Sequence, residues 1–463
     1  MVFPTIQFAV FFPIVLALSW ALMRRQNVWK PFMLAASYLF YSAASPSFCL
    51  LLGGVTLGNQ AAAKLIHATE DQRRRKLIVS VAVAADLATL GVFKYYGFFA
   101  EETNAVLDKV GLGLPLPLAA IALPVGISFI VFQAISYTVD VYRRVIEPSK
   151  TIDVGLYLSF FPHLVAGPIV RAREFIPQLE APRDPRKVAV GAGVALIVIG
   201  LVKKVAIADF LAREIVDPVF GVPQAYAAPD VILASYAYAV QIFCDFSGYT
   251  DIAIGLALLV GFVFPQNFDR PYRAASFREF WRRWHITLSR FLRDFLYIPL
   301  GGNRHGKLRQ ARNLMITMVL GGLWHGAAWG FVLWGFIHGS ALVIENVFRG
   351  RISPPTWLKW FLTFHLVVLA WIPFRAPDLD LAGSFLSRLV EPGPATLWTP
   401  AVVGVVLVVI GLQLLPPRPM DALRVRFERL PAAALGATMA VVIVLVAATV
   451  SSQGVPPFIY FQF

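Results

Sequence analysis

Apolar runs of about 20 residues recur along this chain almost from end to end, and each is long enough to cross the hydrocarbon of a bilayer. In hydrocarbon every backbone N–H and C=O must be satisfied internally, so the runs predict helices. The composition agrees: 58% of residues are hydrophobic and 15% charged, with mean hydropathy +0.67, whereas a soluble domain carries a larger charged share. The predicted spans are 6–23, 31–44, 47–66, 77–98, 118–140, 188–208, 228–246, 248–264, 312–322, 325–347, 358–374, 401–415 and 433–450. With boundary errors of several residues this predicts an all-α polytopic membrane protein of about 11 spans. Shorter semi-apolar pieces at 154–168 and 277–298 are expected to be re-entrant or interfacial. No fixed-period repeat or long polar linker divides the chain, so residues 1–463 are read as a single membrane-embedded domain.

The first run, Phe8–Met23, has no basic segment before it and no A-x-A-like site before Arg24 and Arg25, so it reads as a retained span. Arg24, Arg25 and Lys30 fall on the same side as Arg73–Lys76 if 31–66 is a hairpin, and Arg143 and Arg144 return to that side. The intervening loop 99–117 is acidic to neutral, which places the N-terminus outside and the basic loops in the cytoplasm. The net charge of +14 is then explained by contact with anionic headgroups of membrane lipids. No soluble basic domain is available to lie on a nucleic acid. Cys49 and Cys244 both sit in apolar runs and read as small core residues.

The chemistry is expected between Trp281 and Gly339, where ionisable groups sit in or beside apolar sequence and default to function. The stretch WRRWHITLSRFLRDFLYIPLGGNR places Phe277, Phe280, Trp281, Trp284, Leu288, Phe291, Leu292 and Phe295 on one helical face. Arg278, Arg282, Arg290 and Arg293 sit away from that face, as in a helix lying in the interface. His285 falls at the border of the two faces with Ser289 one turn on. Eleven Arg and Lys residues lie between Asp269 and Arg312, a field that attracts a phosphate-bearing donor such as coenzyme A and anionic lipid alike.

From Asn313 to Asn346 (346 − 313 + 1 = 34 residues) only His325, His338 and Glu345 are ionisable. One helix of that length would span about 51 Å against about 30 Å of hydrocarbon. The segment must therefore break, tilt or protrude, with Gly321, Gly322 and Gly326 as the natural break. A break is tolerated in protein or beside a watery cavity, which would set His325 at a cavity wall among small residues that leave room for a ligand. His325 and His338 are 13 residues apart, roughly 220° around a continuous helix, so they would not share a face. That, with no H-E-x-x-H and no adjacent carboxylate set, predicts no metal. No G-x-S-x-G elbow is present, so a serine hydrolase is unsupported.

Asp245, in QIFCDFSGYTD at 241–251, is a second candidate, either orienting a histidine or pairing structurally with an arginine. His163, between Pro162 and Gly167–Pro168, marks a kinked turn. The turn IPLGGNRHG at 298–306 offers backbone amides beside basic residues but matches no P-loop.

Together WRRWHITLSRFLRDFLYIPLGGNR, LGGLWHGAAWGFVLWGFIHG, QIFCDFSGYTDIAIGLAL, LPVGISFIVFQAISYTVDVYR and the closing PPFIYFQF resemble the membrane-bound O-acyltransferases. The likeness is greatest to the bacterial branch that acetylates alginate and related exopolysaccharides. It implies a helical bundle with funnels from both faces meeting near a central histidine. It implies His325, of the W-H-G motif, as the catalytic histidine and His285, of the R-W-H motif, as its companion, 325 − 285 = 40 residues apart. It also implies acetyl-CoA as donor with no resident cofactor, a polysaccharide acceptor, an extracytoplasmic partner of the SGNH type, and a place in a bacterial plasma (inner) membrane. Candidate tunnel or substrate residues are Trp281, Trp284, Ser289, Asn303, Arg304, Trp324 and Asp245. Cys244 and Gly330 depart from the family's usual residues and put the acceptor's identity in doubt. The alternatives are D-alanyl transfer to teichoic acid and a non-enzymatic polysaccharide transporter or export component. The transporter reading lacks the expected second interrupted helix.

Overall fold

The computed structural model describes residues 3, 5–112, 115–117, 121–181, 183–351, 354–416, 425–427 and 429–449, and among these there are helices and no strands. Six helices are long and apolar enough to cross a membrane: Pro46–Ala68, Gln72–Lys109, Val190–Gly221, Ala228–Leu259, Trp329–Phe348 and Thr356–Arg375. Shorter apolar helices are Ile6–Leu22, Ile127–Tyr142, Pro400–Leu414 and Ala433–Val442. The chain divides into two compact units, Met1–Gly193 with Ala253–Pro265, and Val194–Ile252 with Gln266–Phe463.

In the first unit the helices run α1 Ile6–Leu22, α2 Gln26–Ser42, α3 Pro46–Ala68, α4 Gln72–Leu90, α5 Tyr96–Lys109, α6 Ile127–Tyr142, α7 Thr151–Ser159, α8 Phe161–Leu164 and α9 Ala172–Glu180. Asp71 caps α4 by accepting from the N–H groups of Arg73 and Arg74, and Pro46 opens α3, where its missing N–H costs nothing. Buried polar groups are paired along this core: Asn59 donates to Asp86 (2.9 Å), Thr138 to Asn59 (2.6 Å), and Tyr137 to Gln60 (2.7 Å). The piece expected to be re-entrant is the pair α7 and α8, broken at Phe160, with every residue from 153 to 172 buried.

The second unit takes most of α10 Val190–Leu201 and then α11 Asp209–Leu211, α12 Asp217–Gly221 and α13 Ala228–Leu259, whose last residues belong to the first unit. It continues with α14 Phe277–Arg283, α15 Ile286–Leu292, α16 Lys307–His325, α17 Trp329–Phe348, α18 Thr356–Arg375, α19 Leu379–Arg388, α20 Pro400–Leu414 and α21 Ala432–Thr449. The two spans expected at 228–246 and 248–264 are one helix, α13. Gly248 does not interrupt it. A Cβ there would meet Gly200 O at 2.7 Å and Lys203 Cβ at 3.0 Å, so this glycine lets two backbones touch.

The 313–346 stretch does break, but three residues later than its glycine pair. Helix α16 ends at His325, Gly326 to Ala328 are extended, and α17 returns against α16. Gly322 and Gly335 stay inside helices because the partner's backbone occupies the place of their Cβ atoms: Phe331 O for Gly322 and Met318 O for Gly335.

Candidate functional site

The amphipathic wheel does not survive around His285. Helix α14 stops at Arg283, Trp284 is extended, His285 adopts the left-handed conformation (φ 41°), and α15 starts at Ile286. The cause lies 18 residues upstream in Asn267, which is buried. Its Oδ1 accepts from the Thr287 N–H (3.1 Å) and the Thr287 hydroxyl (2.9 Å), and its carbonyl accepts from the Ile286 N–H (2.9 Å). A side chain from outside thus takes over the first amides of α15, and the chain kinks to meet it. The His285 ring is 0% exposed, so it is no wetted polar-face histidine.

Asn267 also sets the tautomer of His285. Nδ1 lies 3.3 Å from Oδ1, and that oxygen already faces obligate donors, so Nδ1 must carry the proton. Nε2 then holds a lone pair and has no hydrogen-bond partner among the described residues. In this neutral form the ring accepts a proton; donation from Nε2 to an oxyanion requires the charged form.

His325 is the last residue of α16 and 3% exposed. Three aromatic rings stand edge-on to it: Trp324 at 5.1 Å, Trp334 at 5.1 Å and Phe374 at 5.3 Å between centroids. The small residue beside it makes room for protein rather than for ligand, since the Cβ position of Gly326 is filled by the Phe331 ring. Trp324 bridges the two histidines, its ring 5.9 Å from that of His285. His338 joins the same cluster, 4.7 Å from Trp334. The expectation that His325 and His338 point apart holds only for an unbroken helix. The hairpin folds both onto Trp334.

The other candidates divide. Trp284 is buried against Phe280, Phe268 and Trp371, and half-buried Trp281 packs on Trp334 and His338. The Ser289 hydroxyl donates to Trp284 O at 3.4 Å. Asn303 and Arg304 are exposed in a turn whose contacts run to Tyr297, His305 and Asn313. Its Gly301 and Gly302 have positive φ. Asp245 orients no histidine among its described contacts; it pairs with Lys204 (2.6 Å), which also holds Asp209 (2.6 Å), all buried. Asn267 carried no local signal in the sequence, while His338 was noted there as an ionisable residue in an apolar run but was set apart from His325 by the 220° argument.

The opposite face of α14 borders a cavity of about 530 Å³ lined by Asp269, Ser276, Arg278, Glu279, Arg282, Arg283 and Arg349. Arg283 is engaged by Glu279 (2.9 Å) and Asp269 (2.7 Å). Burial, and then the neighbouring charge of Arg349, hold the Arg278 guanidinium below its usual pKa. Like charges crowded in this way favour an incoming anion.

Six helices are thus long and apolar enough to cross a membrane, and the rings of His285 and His325 both pack on the buried Trp324. The model of the membrane-bound O-acyltransferase family matches residues 49–371, and the chain belongs to that family. It is an O-acyltransferase and a multi-pass membrane protein. It is 41% identical to the probable alginate O-acetylase of Azotobacter vinelandii over 79% of this chain and 73% of the relative. For the corresponding protein of Pseudomonas aeruginosa the figures are 42%, 81% and 71%. The peptidoglycan O-acetyltransferase of Helicobacter pylori is 36% identical over 78% of this chain and 73% of its own length.

Proposed function

We propose that this protein moves an acetyl group from cytosolic acetyl-CoA across a bacterial inner membrane toward O-acetylation of a cell-surface polysaccharide of the alginate kind, handing it to an extracytoplasmic SGNH-type partner. The whole chain acts as a single acyltransferase domain of about 11 spans, with funnels that bring donor and acceptor to His325. The relatives' names support the acetyl group and the polysaccharide. The arginine-lined cavity supports a donor with phosphates, because guanidinium groups bind phosphate bidentately.

The observation that carries this reading is the placing of His325 at the C-terminus of α16 inside three aromatic rings. As general base it accepts the proton of the acceptor hydroxyl while that oxygen bonds to the thioester carbonyl carbon. The C–S bond then breaks, and the CoA thiolate leaves and takes up a proton. The imidazolium that forms meets the negative end of the helix dipole, worth about 0.3–1 kcal/mol. His285, with its lone pair on Nε2, positions the thioester or relays the proton.

A positioned base supplies about 10²–10⁴-fold, so His325→Ala should lower CoA release from acetyl-CoA, and acetylation, by that factor in protein that remains folded. Folded His325→Ala protein working at the wild-type rate would refute the assignment. Substituting a D-alanyl carrier for acetyl-CoA in the same assay separates the acetyl reading from D-alanyl transfer.

A further inference from the structure

His338 is 0% exposed, and neither ring nitrogen has a hydrogen-bond partner among the described residues. Five aromatic rings enclose it: Phe277 at 5.5 Å, Phe280 at 5.8 Å, Trp281 at 5.3 Å, Trp334 at 4.7 Å and Trp371 at 6.4 Å. Packing alone is served better by phenylalanine, which fills such a box without burying two polar atoms. The Nε1 groups of Trp334, Trp281 and Trp371 are buried and have no hydrogen-bond partner among the described residues either. Three indole donors thus surround one imidazole, and a neutral imidazole has a single acceptor nitrogen.

The choice of donor matters because Trp334 and Trp281 lead to different places. Trp334 lies one helical turn before His338 on α17 and packs edge-on against His325 at 5.1 Å. Trp281 is on α14, whose other face lines the arginine cavity. We infer that His338 is a positioning residue for acyl transfer: by accepting the Trp334 N–H during turnover it fixes the indole that holds the His325 ring. This rests on the reading of His325 as the base.

The test is a double-mutant cycle on purified full-length protein, reading kcat and KM for acetyl-CoA by CoA release. His338→Phe and Trp334→Phe should each lower kcat roughly ten- to hundredfold, the scale of a small misplacement of a reacting group, with KM within about twofold. The double variant should be no slower than the worse single one, and His338→Gln, which can accept the N–H, should restore most of the rate. A His338→Phe enzyme within twofold of wild type in kcat, or multiplicative losses in the double variant, overturns the inference. His338→Leu serves if the Phe variant does not fold. Failure of both to fold while His338→Gln folds makes the residue structural and also overturns it. His325→Ala is run beside them: its retaining full rate defeats the underlying reading, whereas a dead His325→Ala beside a fully active His338→Phe defeats only the role given to His338.

Discussion

Two buried histidines, one in each unit, sit in aromatic boxes and differ in what surrounds them. His163, in α8, packs among Phe160, Phe175 and Phe264, and its Nε2–H donates to Tyr157 O at 2.8 Å. The phenyl rings offer no donors, and one backbone bond anchors the imidazole. His338 lies among indoles instead, neither nitrogen having a hydrogen-bond partner among the described residues, and shares Trp334 with His325. Burial alone therefore does not mark a functional histidine. An anchored ring among phenyls is core, whereas the His338 imidazole lies among indole N–H donors with no hydrogen-bond partner among the described residues, and buried polar groups left unpaired are costly.

The sharpest way to break this contrast is His325→Ala, expected to remove about 10²–10⁴-fold of acetyl transfer in a folded protein, read by CoA release. Asn267→Ala comes next. It takes away the acceptor that holds Thr287 and His285, so the kink at 284–286 should loosen. We expect a loss of about 1–3 kcal/mol in stability, seen as a lower thermal midpoint, together with reduced kcat. Replacing Arg278, Arg282 and Arg349 together by Ala should raise KM for acetyl-CoA about tenfold and weaken the salt dependence of KM, leaving kcat nearly unchanged. The smallest functional effect belongs to the other box: His163→Gln should lower the thermal midpoint yet keep kcat within about twofold. A collapse of kcat in folded His163→Gln protein would erase the distinction between the two histidines.

How much was legible in the sequence follows from where each signal is stored. Hydropathy is a local property, so many of the apolar helices were located, although only six are long and apolar enough to cross a membrane, and the break near Gly326 followed from segment length against bilayer thickness. The wheel drawn through 277–295 failed at one point, because Asn267 reaches in from a distant stretch and pulls His285 into a left-handed turn. The 220° argument separating His325 from His338 failed because angular arithmetic applies only to an unbroken helix. Asp245 was readable as a buried charge, but its partner Lys204 is set by the approach of two backbones at Gly200 and Gly248.

By itself the sequence determined that this chain makes apolar helices and that it resembles the O-acyltransferases of membranes, and it singled out two motif histidines as candidates for its chemistry. Period, hydropathy and motif are all written over consecutive residues. Only the tertiary structure decided which ring nitrogen of His285 is protonated, that Gly326 yields its space to Phe331, and that His338 lies beside the same indole as His325. Those outcomes depend on contacts between residues far apart in the chain, where a single side chain such as Asn267, or a single close approach of two helices, overrides local preference.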